Sequence, residues 1–428
     1  MRSLAGQAYE RSLSLKALLV SGWVDQSFTF LRSLSRRPVE LHVADCWPNS
    51  PTGRSRYCTG FHLIPPPDSE DHVREILAVC KRVGIDVVLP VQHDEVLILA
   101  ARKAEFIAQG IALPIPPGPL MSNAIDKYWV SQIAEENALA GPKTVLLEQA
   151  MSSDLLGAGI EFPAVVKLRC GTGQARQKRI ENADDLRKYA SSEAPKYGAD
   201  EVIVQEFIPG DDWDGMYSVG LLYDSQHRLK ACVPLKKMRS RPYDGGTAVC
   251  TQAEARDDVA QLAIGLMESI GDWEGIADVE IKLDPRDGEP KLIELNPRAW
   301  GSIYGAYAAG VDLPWLWLQA AQGIEFPNIE GFRVGIPGSF FARDLCLFAD
   351  LLEALFTRRR GKAARVLRTY LHPYVSRKHW RYRIPGTADL VLRDLRPLLT
   401  NLWRVRKDIV PGFRRLRSSR AREDVADS

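Results

Sequence analysis

The chain has 428 residues, 45% of them apolar and 26% charged, with a net charge of +2. That balance is ordinary for a soluble globular protein, and the length suits two or three domains. No run of 18 uncharged apolar residues occurs, which argues against a transmembrane helix. Seven cysteines stand singly, with no CxxC pair, which speaks against a zinc site or a disulfide frame and for reduced thiols in a cytoplasmic setting.

The opening residues are not expected to form a signal peptide, because Glu10, Arg11 and Lys16 interrupt any apolar core. From residue 15 to 120 the pattern predicts an α/β unit. Leu15–Val20, Val39–Val43 and Ile85–Val91 read as strands, and His72–Val83 as an amphipathic helix. Strands alternating with helices predict a doubly wound parallel sheet. The first turn lacks GxGxxG, so no dinucleotide fingerprint is present. His93, Asp94 and Glu95 follow the third strand, where ligands of parallel sheets gather, although an ordinary polar loop is the simpler reading. The proline-rich stretch 113–119 reads as a linker.

A second unit opens with a helix from Lys127 to about Asn137, ended by Gly141-Pro142. A strand over Phe162–Leu168 carries Lys167, and a loop with Gly171 and Gly173 follows. Ala183–Ala190 reads as a helix and Glu201–Ile208 as a strand. A third unit runs from Pro209 to about Phe326. It holds strands at Met216–Leu222 and Leu229–Pro234, the basic run Lys236, Lys237, Arg239 and Arg241, a loop at 244–247, and a helix from Asp257 to Ile270.

The most informative stretch is Gly275–Arg298, which predicts a hairpin turning within Asp284–Pro290. Ala277, Val279, Ile281 and Leu283 share one face of its first strand, and Asp278 and Glu280 the other. On the second strand Ile293 and Leu295 point one way, and Glu294, Asn296 and Arg298 the other. Pairing about Asp287 opposes Glu280 to Glu294 and Asp278 to Asn296. Like charges directly opposed are destabilising. A cation between them turns that penalty into a site, and two carboxylates with an amide oxygen suit Mg²⁺ held together with phosphates. A solvated acidic face is the plainer alternative.

Four pieces thus occur in order: Lys127 at a helix start, Lys167 on a strand before a glycine loop, Gln205-Glu206-Phe207-Ile208 leading to Asp212, and the Glu280/Glu294/Asn296/Arg298 hairpin. This series resembles the ATP-grasp superfamily, in particular carboxylate–amine ligases with a carbamoyl-phosphate-synthase-type grasp domain. The resemblance covers about residues 122–326. It implies an N-terminal pre-grasp domain over 1–121, a grasp domain over 122–330 with its lid at about 162–207 and an antiparallel-sheet catalytic part, and a basic helical C-terminal extension over 331–428.

The resemblance also implies roles. Lys127 and Lys167 go to the α- and β-phosphates of ATP, and Gly171 and Gly173 to close backbone approach. Gln205, Glu206, Phe207 and Ile208 go to the adenine, with the Ile208 N–H as ring donor, and Asp212 (or Asp211) to the ribose. Glu280, Glu294 and Asn296 become Mg²⁺ ligands, with Mn²⁺ as an alternative, and Arg298 stabilises the transferring phosphoryl or acyl phosphate. Lys237 and Arg239 are catalytic candidates from a basic run in which no single member stands out. The implied reaction is ADP-forming ligation of a small-molecule carboxylate to an amine. Other ATP-grasp chemistry, such as carboxylation or carbamoyl-phosphate formation, and a non-catalytic nucleotide-binding scaffold remain as alternatives.

From Thr357 onward the chain carries 20 Lys and Arg against 6 Asp and Glu, and the remainder 36 against 48, so a basic tail (+14) follows an acidic body (−12). Its aromatic-basic clusters at 365–374, 377–382 and 403–407 suit a helical cap on the acidic body or peripheral contact with anionic lipid. Nucleic acid is not expected, since no binding module accompanies the charge. A homodimer is the default assembly.

Overall fold

The computed structural model describes residues 15–152, 160–171, 177–210, 215–241, 247–356, 364, 367 and 386–405. Gly173, Asp211, Asp212, residues 244–246 and the clusters at 365–374 and 377–382 lie outside these residues, apart from Leu367. So does the end of the third cluster, at 406–407.

The first sheet contains β1 (Leu15–Val20), β2 (Val39–Asp45), β3 (Gly60–Leu63) and β4 (Val87–Pro90), in the order β3-β2-β1-β4. All its pairings are parallel. The continuous apolar burial of β1 and β4 is what covering both faces of a parallel sheet requires. Strand β3 escaped the pattern reading because four residues, only partly buried, give no period. Helix α1 (Asp25–Leu34) follows β1 and is buried over nearly its whole length. The Gln26 amide donates to the Val91 carbonyl at 2.7 Å and ties α1 to the end of β4. The carboxyl ends of β1 and β4 therefore open on the same space.

The proline-rich stretch is not a free linker. Residues 113–116 are buried, and the Trp317 indole N–H donates to the Pro114 carbonyl at 2.8 Å. Gly275 (φ +94°) has no side chain, because a Cβ there would stand 2.3 Å from that same carbonyl oxygen. Proline removes donors but leaves acceptors, and those acceptors are used here to fasten the first unit to the third.

The second sheet is a small antiparallel one, β5 (Thr144–Leu146), β6 (Ala164–Leu168), β7 (Gln177–Ile180) and β8 (Val202–Glu206), ordered β5-β8-β6-β7. It packs with a helix over Ala183–Ser192 around Val166, Ile180, Leu186, Tyr189 and Val204.

The third sheet has seven strands: β9 (Met216–Tyr223), β10 (Leu229–Arg241), β11 (Thr247–Ala253), β12 (Gly275–Leu283), β13 (Pro290–Asn296), β14 (Pro337–Ser339) and β15 (Gly386–Thr387). Their order is β13-β12-β9-β10-β11-β14-β15. One face of β9 and β12 packs with helices α2 (Lys127–Glu136) and α3 (Asp257–Ile270). The other meets residues continuous with the core of the first sheet. Gly220, in the middle of β9, is where the Trp300 ring lies on the sheet; a Cβ there would sit 2.5 Å from the ring.

Two expectations change. Strand β10 does not stop at Pro234 but runs to Arg241, so the basic run is strand. The C-terminal hundred residues are not purely a helical extension. Strand β14 pairs with β11 and β15 with β14, so the sheet continues past residue 330. Helix α4 (Phe341–Phe356) follows β14, and the Asp389 carboxylate accepts from the Phe341 and Ala342 N–H groups at its start, at 2.7 and 2.9 Å. Two-residue strands and a cap supplied from 47 residues away leave no local trace in a sequence.

Candidate functional site

The hairpin places its acids as the pairing about Asp287 predicts: Glu280 faces Glu294 and Asp278 faces Asn296. A bulge then shifts the register by one between Glu280 and Ile281, so that Ile281 pairs with Leu292. The extra residue is Ile293. It lines the cavity beside Glu294, while Leu292 and Leu295 go to the core. The strict alternation expected for β13 fails there because a bulge re-aims one side chain.

A cavity of about 860 Å³ opens over this hairpin. The small sheet contributes Lys167, Arg179 and Gln205 to Ile208. The large sheet contributes Ser218, Lys237, Asp278, Glu280, Lys282, Glu294 and Asn296, and Arg298 follows β13. The carboxyl ends of β1 and β4 add Trp23–Gln26, Gln92 and His93.

Asp278 is buried, accepts from the Ser218 hydroxyl and takes the Asn296 amide at 3.2 Å. Burial first, and then the nearby Glu280 charge, push its carboxyl well above the usual range. It stands behind Asn296 and orients it. The Asn296 amide oxygen in turn accepts from Arg298 at 3.2 Å. Arg298 also donates to the Ala299 carbonyl, and its Nε has no partner among the described residues. Desolvation lowers the Arg298 pKa, against the pull of Asp278, Glu294 and Glu280.

The cations face these acids from three elements. Lys237 donates to Glu280 at 3.2 Å. Lys127 lies 3.7 Å from Glu294 and donates to the Gly171 carbonyl at 2.9 Å. It lines an adjoining cavity of about 240 Å³ together with Gln205 and Glu294. Lys167 is buried mid-strand, and desolvation lowers its pKa to about 8 despite Glu294. Gly171 adopts φ +103°, a backbone region that favours glycine, but it lines neither cavity.

Around the strand end of β8, Gln205 donates to Thr144 at 2.8 Å and Glu206 accepts from Arg286 at 2.6 Å. The Arg179 guanidinium lies 4.4 Å from the Phe207 ring centre. Lys282 donates to the Ile208 and Gly210 carbonyls at 3.1 and 2.9 Å and so fixes the chain after β8. Pattern reading passed over Lys282, although its spacing puts it on the face of Asp278 and Glu280.

Arg239, a catalytic candidate from the sequence, is turned away from the cavity. It is 1% exposed and holds Asp344 through two contacts of 3.0 Å. Arg241 likewise pairs with Asp350. The register of β10 on β11 shifts between Lys237 and Arg239 and again between Arg239 and Ser240. These irregularities separate Lys237, which reaches the cavity, from Arg239, which does not. Lys236 does not line it either.

His93 lines the cavity, and burial, followed by the Arg298 charge, lowers its pKa to about 4. Asp94 is exposed, and its N–H is accepted by the Gln92 side chain that caps the helix. Glu95 is buried away from the cavity.

Among the described residues no three His, Cys, Asp or Glu side chains form a metal cage by themselves. Glu280, Glu294 and Asn296 are hard oxygen donors that leave coordination positions for other ligands. That donor set fits Mg²⁺ shared with phosphate oxygens rather than a protein-only site. No helix among the described residues is long and apolar enough to cross a membrane.

Two family models match the chain: "ATP-grasp in the biosynthetic pathway with Ter operon" over residues 198–336, and "PylC-like, N-terminal domain" over residues 25–114. A D-aspartate ligase of Enterococcus faecium is 26% identical over 211 residues, covering 45% of this chain and 49% of its own. The chain thus spans about half the length of that relative. Among solved structures, a Campylobacter jejuni biotin carboxylase complex superposes with a TM-score of 0.61 at 18% identity, over 76% of this chain and 75% of that one. An L-amino acid ligase of Bacillus licheniformis gives 0.54 at 17%, over 72% and 74%.

Proposed function

From the premise that this chain belongs to the ATP-grasp superfamily, we propose that it is an ADP-forming carboxylate–amine ligase whose active site is the cavity over the β12–β13 hairpin. The observation that carries this reading is the register of that hairpin. Opposed Glu280 and Glu294, with Asn296 and Arg298 on the same side, meet Lys127, Lys167 and Lys237 from other elements. The likeness to a D-aspartate ligase supports an acid–amine pair as substrates.

Glu280, Glu294 and Asn296 would hold Mg²⁺, which would supply neutralisation of the phosphate charge. Lys167 and Lys127 face the α- and β-phosphates. A buried ammonium needs an anionic partner, and a phosphate supplies it. Residues 205–208 of the small sheet cover the adenine, and that sheet acts as a lid that excludes water. The substrate carboxylate attacks the γ-phosphorus, the bond to the β-phosphate oxygen breaks, and ADP leaves. The amine then attacks the acyl carbon of the acyl phosphate and phosphate leaves. Arg298 stabilises the charge on the transferring group, and Lys237 faces the γ-phosphate. Residues 1–121 and 122–330 serve as pre-grasp and grasp domains.

The test is ADP release from Mg-ATP with pooled carboxylates and hydroxylamine as a trapping amine. The wild type should release ADP only with acid, and a Glu294→Ala/Asn296→Ala variant should not. Absence of both release and Mg²⁺-dependent ATP binding in the wild type would refute the reading.

A further inference from the structure

One wall of the cavity is built by residues that the proposed chemistry leaves unused. Asp25 is the first residue of α1, the helix that follows β1, and is 4% exposed at its side chain. Its Oδ2 accepts from the Arg343 Nε, and its Oδ1 accepts from the Arg404 Nη2 at 3.3 Å. Arg343 stands near the start of α4, and Arg404 in the helical residues 396–405. Gln26, Gln92, His93 and Ser302 line the same cavity.

A staple between the C-terminal segment and α1 needs one arginine for one aspartate. Here two guanidiniums share a single carboxylate, so this trio carries one positive charge in excess. Both arginines remain about one third exposed while lining the cavity. Arg404 is fixed further by the Asn401 amide oxygen at 3.0 Å and by the Trp23 ring, 5.5 Å from its Cζ. Among the described residues no acceptor is recorded for the Nη groups of Arg343 or the Nη1 of Arg404. Both oxygens of Asp25 are engaged, so its carboxylate turns no free oxygen toward the cavity beside these guanidiniums. Planar, pre-positioned guanidiniums with spare N–H groups are the chemistry that binds carboxylates.

We propose that Arg343 and Arg404, positioned by Asp25, bind a second anionic group on the acid substrate. The enzyme thus takes a dicarboxylate or an acidic amino acid, with the reacting carboxylate at Arg298 and the other at this pair. The proposal rests on the ligase reading for the identity of the acid, but its binding test does not require turnover. The C-terminal segment then belongs to the active site and sets its specificity.

The test is calorimetric binding of acids to the full chain with Mg²⁺ and a non-hydrolysable ATP analogue. Succinate, glutarate and both enantiomers of aspartate and glutamate are compared with butyrate, pentanoate and alanine. At least one di-acid should bind about tenfold or more tightly than its monocarboxylate counterpart, as a charge-assisted contact implies. Arg343→Gln and Arg404→Gln should each weaken that di-acid about tenfold, and the double variant should erase the preference. Nucleotide affinity should stay unchanged. If the double Gln variant fails to fold, Arg343→Lys/Arg404→Lys keeps both charges and loses the forks, and a three- to tenfold loss is expected. Equal binding of mono- and di-acids, or a preference that survives the variants, overturns the proposal. Di-acids that bind through these arginines without acid-dependent ADP release would overturn the ligase reading and leave the subsite standing.

Discussion

Arg239 and Asp344 provide a test of whether a buried cation in this protein is structural or catalytic. Arg239 is 1% exposed, and its two contacts to Asp344 are both 3.0 Å. Even so, burial outweighs the attraction of Arg239 and holds the Asp344 carboxyl above its ordinary value. The two partners therefore respond differently to losing each other. An arginine cannot shed its proton, so Asp344→Leu leaves a buried charge and should cost about 3 kcal/mol. Arg239→Met leaves a carboxyl that can protonate and should cost only about 1 kcal/mol. The double variant should also cost about 1 kcal/mol, giving a coupling of about 3 kcal/mol. Urea unfolding followed by tryptophan fluorescence measures all four corners of the cycle. Acid-dependent ADP release should persist in Arg239→Met wherever the protein is folded. Equal costs for the two single variants, or loss of ADP release from a fully stable Arg239→Met, would refute the argument.

Two further outcomes follow from buried groups. Lys282→Met removes the ammonium that ties the Ile208 and Gly210 carbonyls. Nucleotide affinity, read by fluorescence titration with a labelled ATP analogue, should fall about tenfold or more; an unchanged affinity would deny that this strand end holds the base. Glu95 is raised from 4.5 to about 7, chiefly by burial. Its folded state therefore keeps a proton that the unfolded chain gives up from about pH 4.5 upward, so stability falls as pH rises from 4.5 to 7 and then levels off. Glu95→Gln should remove that slope. Relative to wild type it should gain on the order of 3 kcal/mol between pH 4.5 and 8 in urea unfolding. A pH-independent difference would show that Glu95 is already ionised in the fold.

The parts of this molecule that a sequence discloses are those whose cause is local. Period-2 alternation locates β12, and the opposition of Glu280 to Glu294 follows from a turn that centres on Asp287. Period-3.6 burial locates the helices at His72–Val83 and Asp257–Ile270 to the residue. What the pattern misses is where the ladder breaks its own rule. The bulge at Ile293 sends that side chain to the cavity rather than the core. The irregular pairing of β10 separates Lys237 from Arg239. Nothing in a run of basic residues tells which one is re-aimed, because the bulge answers to the neighbouring strand.

Long-range pairing hides the rest. Arg343 reaches Asp25 across 318 residues and Arg404 across 379, and neither stands in a motif. Charge counting did separate a basic tail from an acidic body, which is the condition for such contacts but not their location. Of the two readings of that tail, the described part favours docking onto the body. Strand β15 extends the sheet, Asp394 meets Ser55, and Arg404 meets Asp25. The same contacts explain why a tail drawn from the charge count as a separate extension lines the cavity instead. The carboxyl ends of β1 and β4 form only one side of the cavity, and a parallel sheet alone leaves that space open. Closing it requires residues from elsewhere in the chain. The chain uses its C-terminal part, and Arg343 and Arg404 line the cavity from a region that carries none of the motifs read in the sequence.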